Sequence, residues 1–297
     1  MGKFRQSRMV FLILFSLTLL GTQADRLYTP SLRAQLESGK TVHILLLGVD
    51  ARPGEIASRS DTMVLVSINR KIKKLVLISI PRDTRVHSAR GSGKLNMVNQ
   101  FEGPEAVCKA VANLLEVPVH YYALTNFAGF ERLIDAMGGV YMEVDVDLKS
   151  YSSGGSLRKG YQHLNGKQAL KYARYRSPQE GDIGRTRRQQ ILLKAIGESL
   201  TRKENLPRLP ALINQVRENI DTNVSPADML YLATLAPGFR GEDVIMQTLP
   251  GYHYMDPYSG ASYWEVDRAI SRSLIDSLFS GHRFEVNLPP PPGGNRW

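Results

Sequence analysis

Residues Leu45–Thr84 read LLLGVDARPGEIASRSDTMVLVSINRKIKKLVLISIPRDT. Three apolar runs lie in this stretch, and each meets charge at one end. Asp50 and Arg52 follow the first, Asp61 precedes the second, and Arg82 and Asp83 follow the third. Runs this short, rich in Val, Ile and Leu and bounded by Gly, Pro and charge, predict buried strands over Val42–Leu47, Met63–Asn69 and Lys74–Ile80. Arg70–Lys73 is a connection of hairpin length, so the second and third strands are expected to be antiparallel. That excludes an all-parallel sheet. Ionisable residues clustered at strand ends predict a polar site along one edge of the sheet.

Outward from this stretch, helical and strand periods interleave. Ala106, Val107, Ala110, Val111, Leu114 and Leu115 make one helical face within Gly103–Leu115. Phe127, Phe130, Ile134 and Met137 make another, stopped by Gly138-Gly139. Val119–Leu124, Val140–Val146 and Val244–Leu249 read as strands. Asn165 and Gln168 form a capping box for a helix from Gly166 to about Tyr175. Arg185–Lys203 is predicted to be a long helix, Leu209–Asn219 and a segment opened by Ser225-Pro226 two more, and Trp264–Phe279 the last. Polar loops are expected at His87–Asn99, Lys149–Gly160 and Ser177–Gly184. The interleaving predicts a single-domain α/β/α sandwich with a mixed central sheet.

The chain has 297 residues with 42% hydrophobic content, enough for a sizeable core. Its formal net charge of +10 and pI near 9.7 call for an anionic partner: nucleic acid, an acidic membrane surface or a phosphorylated substrate. The N-terminus narrows that choice. Lys3, Arg5 and Arg8 precede the uncharged run Met9–Leu20, the pattern of an export signal, short for a span of roughly 20 residues. Residues 1–24 are therefore a signal peptide or, the favoured reading, a signal-anchor. A linker over 25–40, a catalytic domain over 41–284 and a Pro/Gly tail over 285–297 follow. An exported chain argues against nucleic acid as the partner. Only Cys108 is present, so there is no intramolecular disulfide, and its apolar neighbours assign it to packing. The six His show no zinc-type spacing. There is neither a G-x-x-x-x-G-K-[ST] loop nor a G-x-S-x-G elbow.

Three constellations carry chemistry. Asp50 and Asp61, at strand boundaries, suit Mg2+, which takes one or two carboxylates plus substrate phosphates; alternatively Asp50 caps a turn and Asp61 pairs with Arg59. The run Tyr172–Arg188, YARYRSPQEGDIGRTRR, uses arginine throughout, with Arg185 and Gln189 on one helix face. Its guanidinium forks suit pyrophosphate; alternatively it is a solvated basic loop. Ile80-Pro81-Arg82-Asp83-Thr84 offers a phosphate-binding Arg82, or simply a turn. Together the three are the parts of a phosphoryl-transfer site.

At these residues the chain resembles the LytR–CpsA–Psr family. The resemblance covers about Val42–Lys203 through LLLGVDAR, RSDTMVLVSIN, LISIPRDT, KLN, NFAGFERLIDAMGGV, HLNGKQALKYARYR and GDIGRTRRQQ, and continues more loosely to Phe279. It implies an extracytoplasmic, membrane-anchored transferase, secreted if the N-terminal segment is cleaved. Such an enzyme moves a glycopolymer (wall teichoic acid, capsule or similar) from an undecaprenyl-pyrophosphate carrier to peptidoglycan, forming a phosphodiester. A polyprenyl-pyrophosphate hydrolase and a non-catalytic lipid-binding regulator are the alternatives. The resemblance puts Mg2+ on Asp50 and Asp61. It puts the pyrophosphate on Arg82, Arg174, Arg176, Arg185 and Gln189, with Arg52 and Asp83 matching further motif positions. An apolar tunnel for the polyprenyl chain is implied, with Val107, Val111, Leu114, Phe127, Phe130, Ile134 and Leu192 as expected lining. After Lys94-Leu95-Asn96 the chain has Met97-Val98, where the family often has His and an aromatic residue, so no acceptor-activating base is assigned beyond the carboxylates.

Overall fold

A computed structural model describes residues 31–51, 58–148, 155–200, 209–239 and 241–284. Arg52, the N-terminal segment 1–24 and the tail 285–297 lie outside the described residues.

The first described helix, α1 (Leu32–Glu37), is capped by the Ser31 hydroxyl, which accepts the Ala34 N–H. Leu32 and Leu36, one turn apart, are fully buried. β1 (Val42–Val49), β2 (Ser60–Asn69) and β3 (Lys74–Ser79) are the three expected strands, each antiparallel to the next. Asn69 sets the turn between the last two by accepting the Lys71 and Ile72 N–H groups. The segment expected to be a polar loop is instead a hairpin and a helix start: β4 (Arg85–Ser88), β5 (Gly91–Lys94) and α2 (Leu95–Glu102). The sequence GSGK has no apolar alternation. Its pairing comes from a two-residue turn at Ala89-Arg90 closed by Gly91 at φ 96°, which hydropathy does not report.

α3 (Pro104–Leu115) and β6 (Tyr121–Asn126) follow as expected, and Asn126 caps α4 (Phe127–Ala136) by accepting the Gly129 N–H at 2.8 Å. β7 (Val140–Val144) and β8 (Gly160–Leu164) form a separate hairpin. The Asn165–Gln168 capping box opens α5 (Gly166–Arg174). α6 (Gly181–Leu200) starts four residues earlier than expected. α7 (Leu209–Asn219), β9 (Asp221–Thr222), α8 (Pro226–Leu235) and β10 (Val244–Thr248) complete the central layers. The last predicted helix is divided. After β11 (Tyr252–Met255), residues Ser262–Glu265 form β12, and α9 (Arg268–Phe279) begins where the Asp267 carboxylate accepts the Ala269 and Ile270 N–H groups.

The six-stranded sheet runs β10-β3-β2-β1-β6-β9. It is mixed, as expected: β1 is parallel to β6, and β3 to β10. Strand alternation divides the core. Leu45, Leu47, Met63 and Leu65 pack with α2, α3 and α9 on one face, through Leu95, Val107, Val111 and Leu274. The other face carries Ile44, Leu46, Val66 and Ile68 against α1 and α8. Beside them, α4–α7 and the β7–β8 hairpin share a core of Ile134, Met142, Leu164, Tyr172, Leu192 and Leu212. Each fully buried Leu or Ile contributes about 1.5–3 kcal/mol. Cys108 belongs to the first core, and burial pushes its thiol up to about 12, so it packs rather than reacts.

Candidate active site

Backbone register builds the first half of the site. Gly48 pairs with Thr62, but Val49 pairs with Ser60, which leaves Asp61 as the extra residue of a β-bulge. A bulge re-aims its side chain. The β2–β3 ladder continues past β3 through the Ile80 N–H to Met63 O bond of 2.9 Å, which brings Arg82 across from Asp61. Arg82 Nη1 donates to Asp61 Oδ1 at 2.8 Å. Asp61 thus does not take Arg59 as its partner: it pairs with Arg82, while Arg59 Nε bonds Gln100 at 3.3 Å. The turn at Pro81 is fixed by the Thr84 N–H to Pro81 O bond of 3.0 Å and by the Asn96 N–H to Arg82 O bond of 3.0 Å. Asp83 receives Lys94 Nζ at 2.9 Å and stands 3.7 Å from Arg82 Nε.

The second half comes from the break between α5 and α6. Tyr175 is extended after the last turn of α5, so Arg174 and Arg176 leave the chain on either side of it. Asp182, in the first turn of α6, bridges Arg176 at 3.1 Å and Arg185 at 2.9 Å. Arg185 is only 8% exposed. Burial lowers its guanidinium from the ordinary arginine value; Asp182 opposes this, Arg176 and Arg82 add repulsion, and Asp61 attracts. Burial also works to lower Arg82, but its bond to Asp61 and the charges of Asp61, Asp83 and Asp182 outweigh it and raise that guanidinium. The two halves, about a hundred residues apart in sequence, thus share one electrostatic field. The buried Nε atoms of both Arg82 and Arg185 lack a hydrogen-bond acceptor. Unpaired buried donors among like charges are costly, and an oxyanion supplies both the acceptors and the charge they need.

Arg188, one helical turn after Arg185, centres a network that sequence reading did not assign. Arg188 is almost completely buried, donates to Glu180 at 2.6 Å and Asp145 at 3.3 Å, and lies 5.1 Å over the Tyr175 ring. Asp145 also accepts from Tyr172 Oη at 3.0 Å and Arg187 at 2.8 Å. Gln190 ties α6 to the sheet through Ser79 Oγ at 2.8 Å and Gln247 O at 3.1 Å. Arg188 and Glu180 both stand in the arginine run, but Asp145 is 43 residues away and only the fold brings it to them.

Next to the clamp lies an apolar cavity of about 270 Å³, between Leu46 and Val64 of the sheet and Phe130, Leu133, Leu192 and Ile196 of α4 and α6. Thr62, Asn126, Arg174 and Gln189 are among its polar lining groups. Arg174 lies 4.2 Å over the Phe127 ring, and the Gln189 amide reaches Ala173 O at 3.4 Å. Of the residues expected to line an apolar passage, Phe127, Phe130 and Leu192 do line this cavity. Ile134 sits in the core of the same layer, whereas Val107, Val111 and Leu114 pack on the opposite face of the sheet. Periodicity reports which side of a helix is buried, not what it is buried against.

Asp50 is exposed and follows Val49, whose strand partner Ser60 precedes Asp61, so both carboxylates leave the same end of neighbouring strands. Among the described residues there is no group of three or more His, Cys, Asp or Glu placed to hold a metal. A donor set of two carboxylates fits a hard divalent cation that completes its shell with water and phosphate oxygens, and does not fit zinc.

Fold and site together define an α/β protein with a cluster of partly buried arginines, a pair of strand-end carboxylates and an adjoining apolar cavity. The chain belongs to the LytR_cpsA_psr family, which matches residues 21–279. It is 33% identical over 254 residues, 82% of this chain and 77% of the other, to the polyisoprenyl-teichoic acid–peptidoglycan teichoic acid transferase TagU of Oceanobacillus iheyensis. It is 35% identical over 241 residues, 79% of this chain and 73% of the other, to the regulatory protein MsrR of Staphylococcus aureus. The crystal structure of Bacillus subtilis TagV superposes with a TM-score of 0.72 at 29% identity, covering 82% of this chain and 97% of that one.

Proposed function

We propose that this chain transfers a glycopolymer from a polyprenyl-pyrophosphate carrier to peptidoglycan, as an extracytoplasmic phosphotransferase that uses Mg2+. The observation that carries the reading is Arg185: buried, short of an acceptor at Nε, and grouped with Arg82, Arg176 and Asp61 beside an apolar cavity. The activity in the name of the TagU relative is the same in kind.

In this reading Arg82, Arg176 and Arg185 hold the pyrophosphate, and the first part of the polyprenyl chain enters the cavity past Arg174 and Gln189. An acceptor hydroxyl forms a bond to the glycan-bearing phosphorus while the bridging P–O bond breaks. The polyprenyl phosphate leaves with the bridging oxygen and takes up the displaced proton equivalent. The arginines stabilise charge on the transferred and departing oxygens, the dominant contribution in such reactions. Asp83, held between Lys94 and Arg82, orients Arg82. Asp50 and Asp61 would hold Mg2+, which neutralises phosphate oxygens when bound.

The test is transfer of a polyprenyl-pyrophosphate glycan to peptidoglycan, with the linked phosphodiester and free glycan phosphate measured separately. Linked product that is lost in Asp61→Ala and Arg82→Ala supports the proposal. Free glycan phosphate alone would mean a hydrolase, and lipid binding without turnover a non-catalytic regulator.

A further inference from the structure

We propose that the cleft between the β4–β5 hairpin, α2 and β12 is the acceptor subsite, receiving a glycan strand that carries acidic groups; this rests on the transfer reading above. The cleft has a volume of about 290 Å³, and its walls include Arg90, Lys94, Met97, Phe101, Glu102 and Tyr263.

Position is the first argument. In an in-line displacement the attacking oxygen enters opposite the leaving one. The apolar cavity that would hold the chain of the leaving lipid lies on the Leu46 and Val64 face of the sheet. The cleft lies on the other side, because α2 sends Leu95 and Val98 into the core that contains Leu45 and Leu65. Its inner wall is Lys94, whose Nζ is 2.9 Å from Asp83, and Asp83 is 3.7 Å from Arg82 Nε. Two side chains, Lys94 and Asp83, thus link a strand lying in the cleft to Arg82, from the face of the sheet opposite the cavity.

Chemistry is the second argument. Phe101 is 49% exposed in the cleft wall, and the exposed Arg90 lies 4.7 Å over its ring. Tyr263 lies beneath Arg85 at 4.1 Å and 6.0 Å from Lys94. Arg85 is paired with Asp256 and Glu265, and Lys94 with Asp83, which leaves Arg90 beside Phe101 to meet acidic substituents, while both rings offer flat apolar surface to the C–H face of a sugar. Glu102 also lines the cleft, and its carboxylate is held at the hairpin by the Ala89 N–H at 3.2 Å. Ser88 and Ser92 add polar groups at the rim.

The experiment is calorimetric titration of the full chain with a short soluble peptidoglycan oligosaccharide and, separately, with a polyprenyl pyrophosphate. Arg90→Glu and Phe101→Ala alter exposed positions outside the clamp. Each is expected to weaken oligosaccharide binding by about tenfold or more and to leave polyprenyl-pyrophosphate binding unchanged; Arg185→Met is expected to do the reverse. Oligosaccharide binding retained in both cleft variants, or absent from the unmodified chain, overturns the proposal. Failure of the transfer reading has a different signature: both ligands bind, each sensitive to its own substitutions, and no phosphodiester forms. That result leaves the cleft assigned to the glycan.

Discussion

Arg185 is placed where a stability-driven sequence would not put a cation. It is buried, shares its one paired acid with Arg176, is repelled by Arg82 and has an unsatisfied Nε. Replacing such a group with an apolar one of similar volume is often neutral or stabilising. Arg185→Met is therefore expected to unfold at the same temperature or higher, a gain on the order of 1 kcal/mol, while losing pyrophosphate binding. Thermal unfolding read alongside a binding titration checks both. Arg185→Lys keeps the charge but not the planar fork, and a loss of about a hundredfold in kcat/KM is expected in the transfer assay. At this scale much of the site was legible in the sequence. Asp50, Asp61 and Arg82 stand out because charge ends apolar runs, and Arg174, Arg176 and Arg185 because one loop uses arginine alone. The buried pairing of Arg188 with Asp145 was not legible, because the two are 43 residues apart and meet only in the folded chain.

Elements set the clamp's geometry through close contacts. A Cβ at Gly166 would stand 2.2 Å from Glu131 O, so α5 meets the backbone of α4 where no larger residue fits. Gly166→Ala is expected to cost about 2–3 kcal/mol by forcing these helices apart, seen as a lower urea midpoint with an unchanged slope. Asp145→Ala removes one of two acids from the buried Arg188 guanidinium and the acceptor of Tyr172 Oη. Breaking a buried pair this way costs about 3–5 kcal/mol, and the same denaturation experiment measures it. Elements whose signals are local were predicted correctly: the Asn165–Gln168 box opens α5, and the Arg70–Lys73 turn joins an antiparallel pair. The β4–β5 and β11–β12 hairpins were missed, because GSGK and the Tyr-rich segments around Gly260 pair through turn geometry rather than hydrophobic alternation.

Across the whole molecule, the candidate site lies at the ends of β1–β3, while a titratable group, His43, is buried within the sheet. His43 of β1 is buried, with Nδ1 2.8 Å from Ser67 Oγ and its ring 5.0 Å from Phe279. Burial, helped by the charge of His120, lowers it from 6.5 to about 4. Between these values the unfolded chain binds the proton and the folded chain does not. This contribution is therefore complete above pH 6.5 and is lost as pH falls toward about 4. Moving from pH 7 to about 4.5 is expected to remove on the order of 2 kcal/mol. The difference between the unmodified chain and His43→Leu in urea titrations at both pH values isolates the effect. The central sheet and its helical layers could be read from the order of periods, whereas the cavity could not. It needed the knowledge that α4 and α6 share the Leu46 face while α3 takes the other.

The proposed function requires the arginine cluster and the apolar cavity to receive the two ends of a single lipid pyrophosphate. A crystal structure with a short-chain polyprenyl pyrophosphate tests it most directly. The predicted result places the pyrophosphate against Arg82, Arg176 and Arg185 and the chain between Val64, Phe130 and Leu192. A head group bound away from these arginines, or a chain lying outside the cavity, would contradict it.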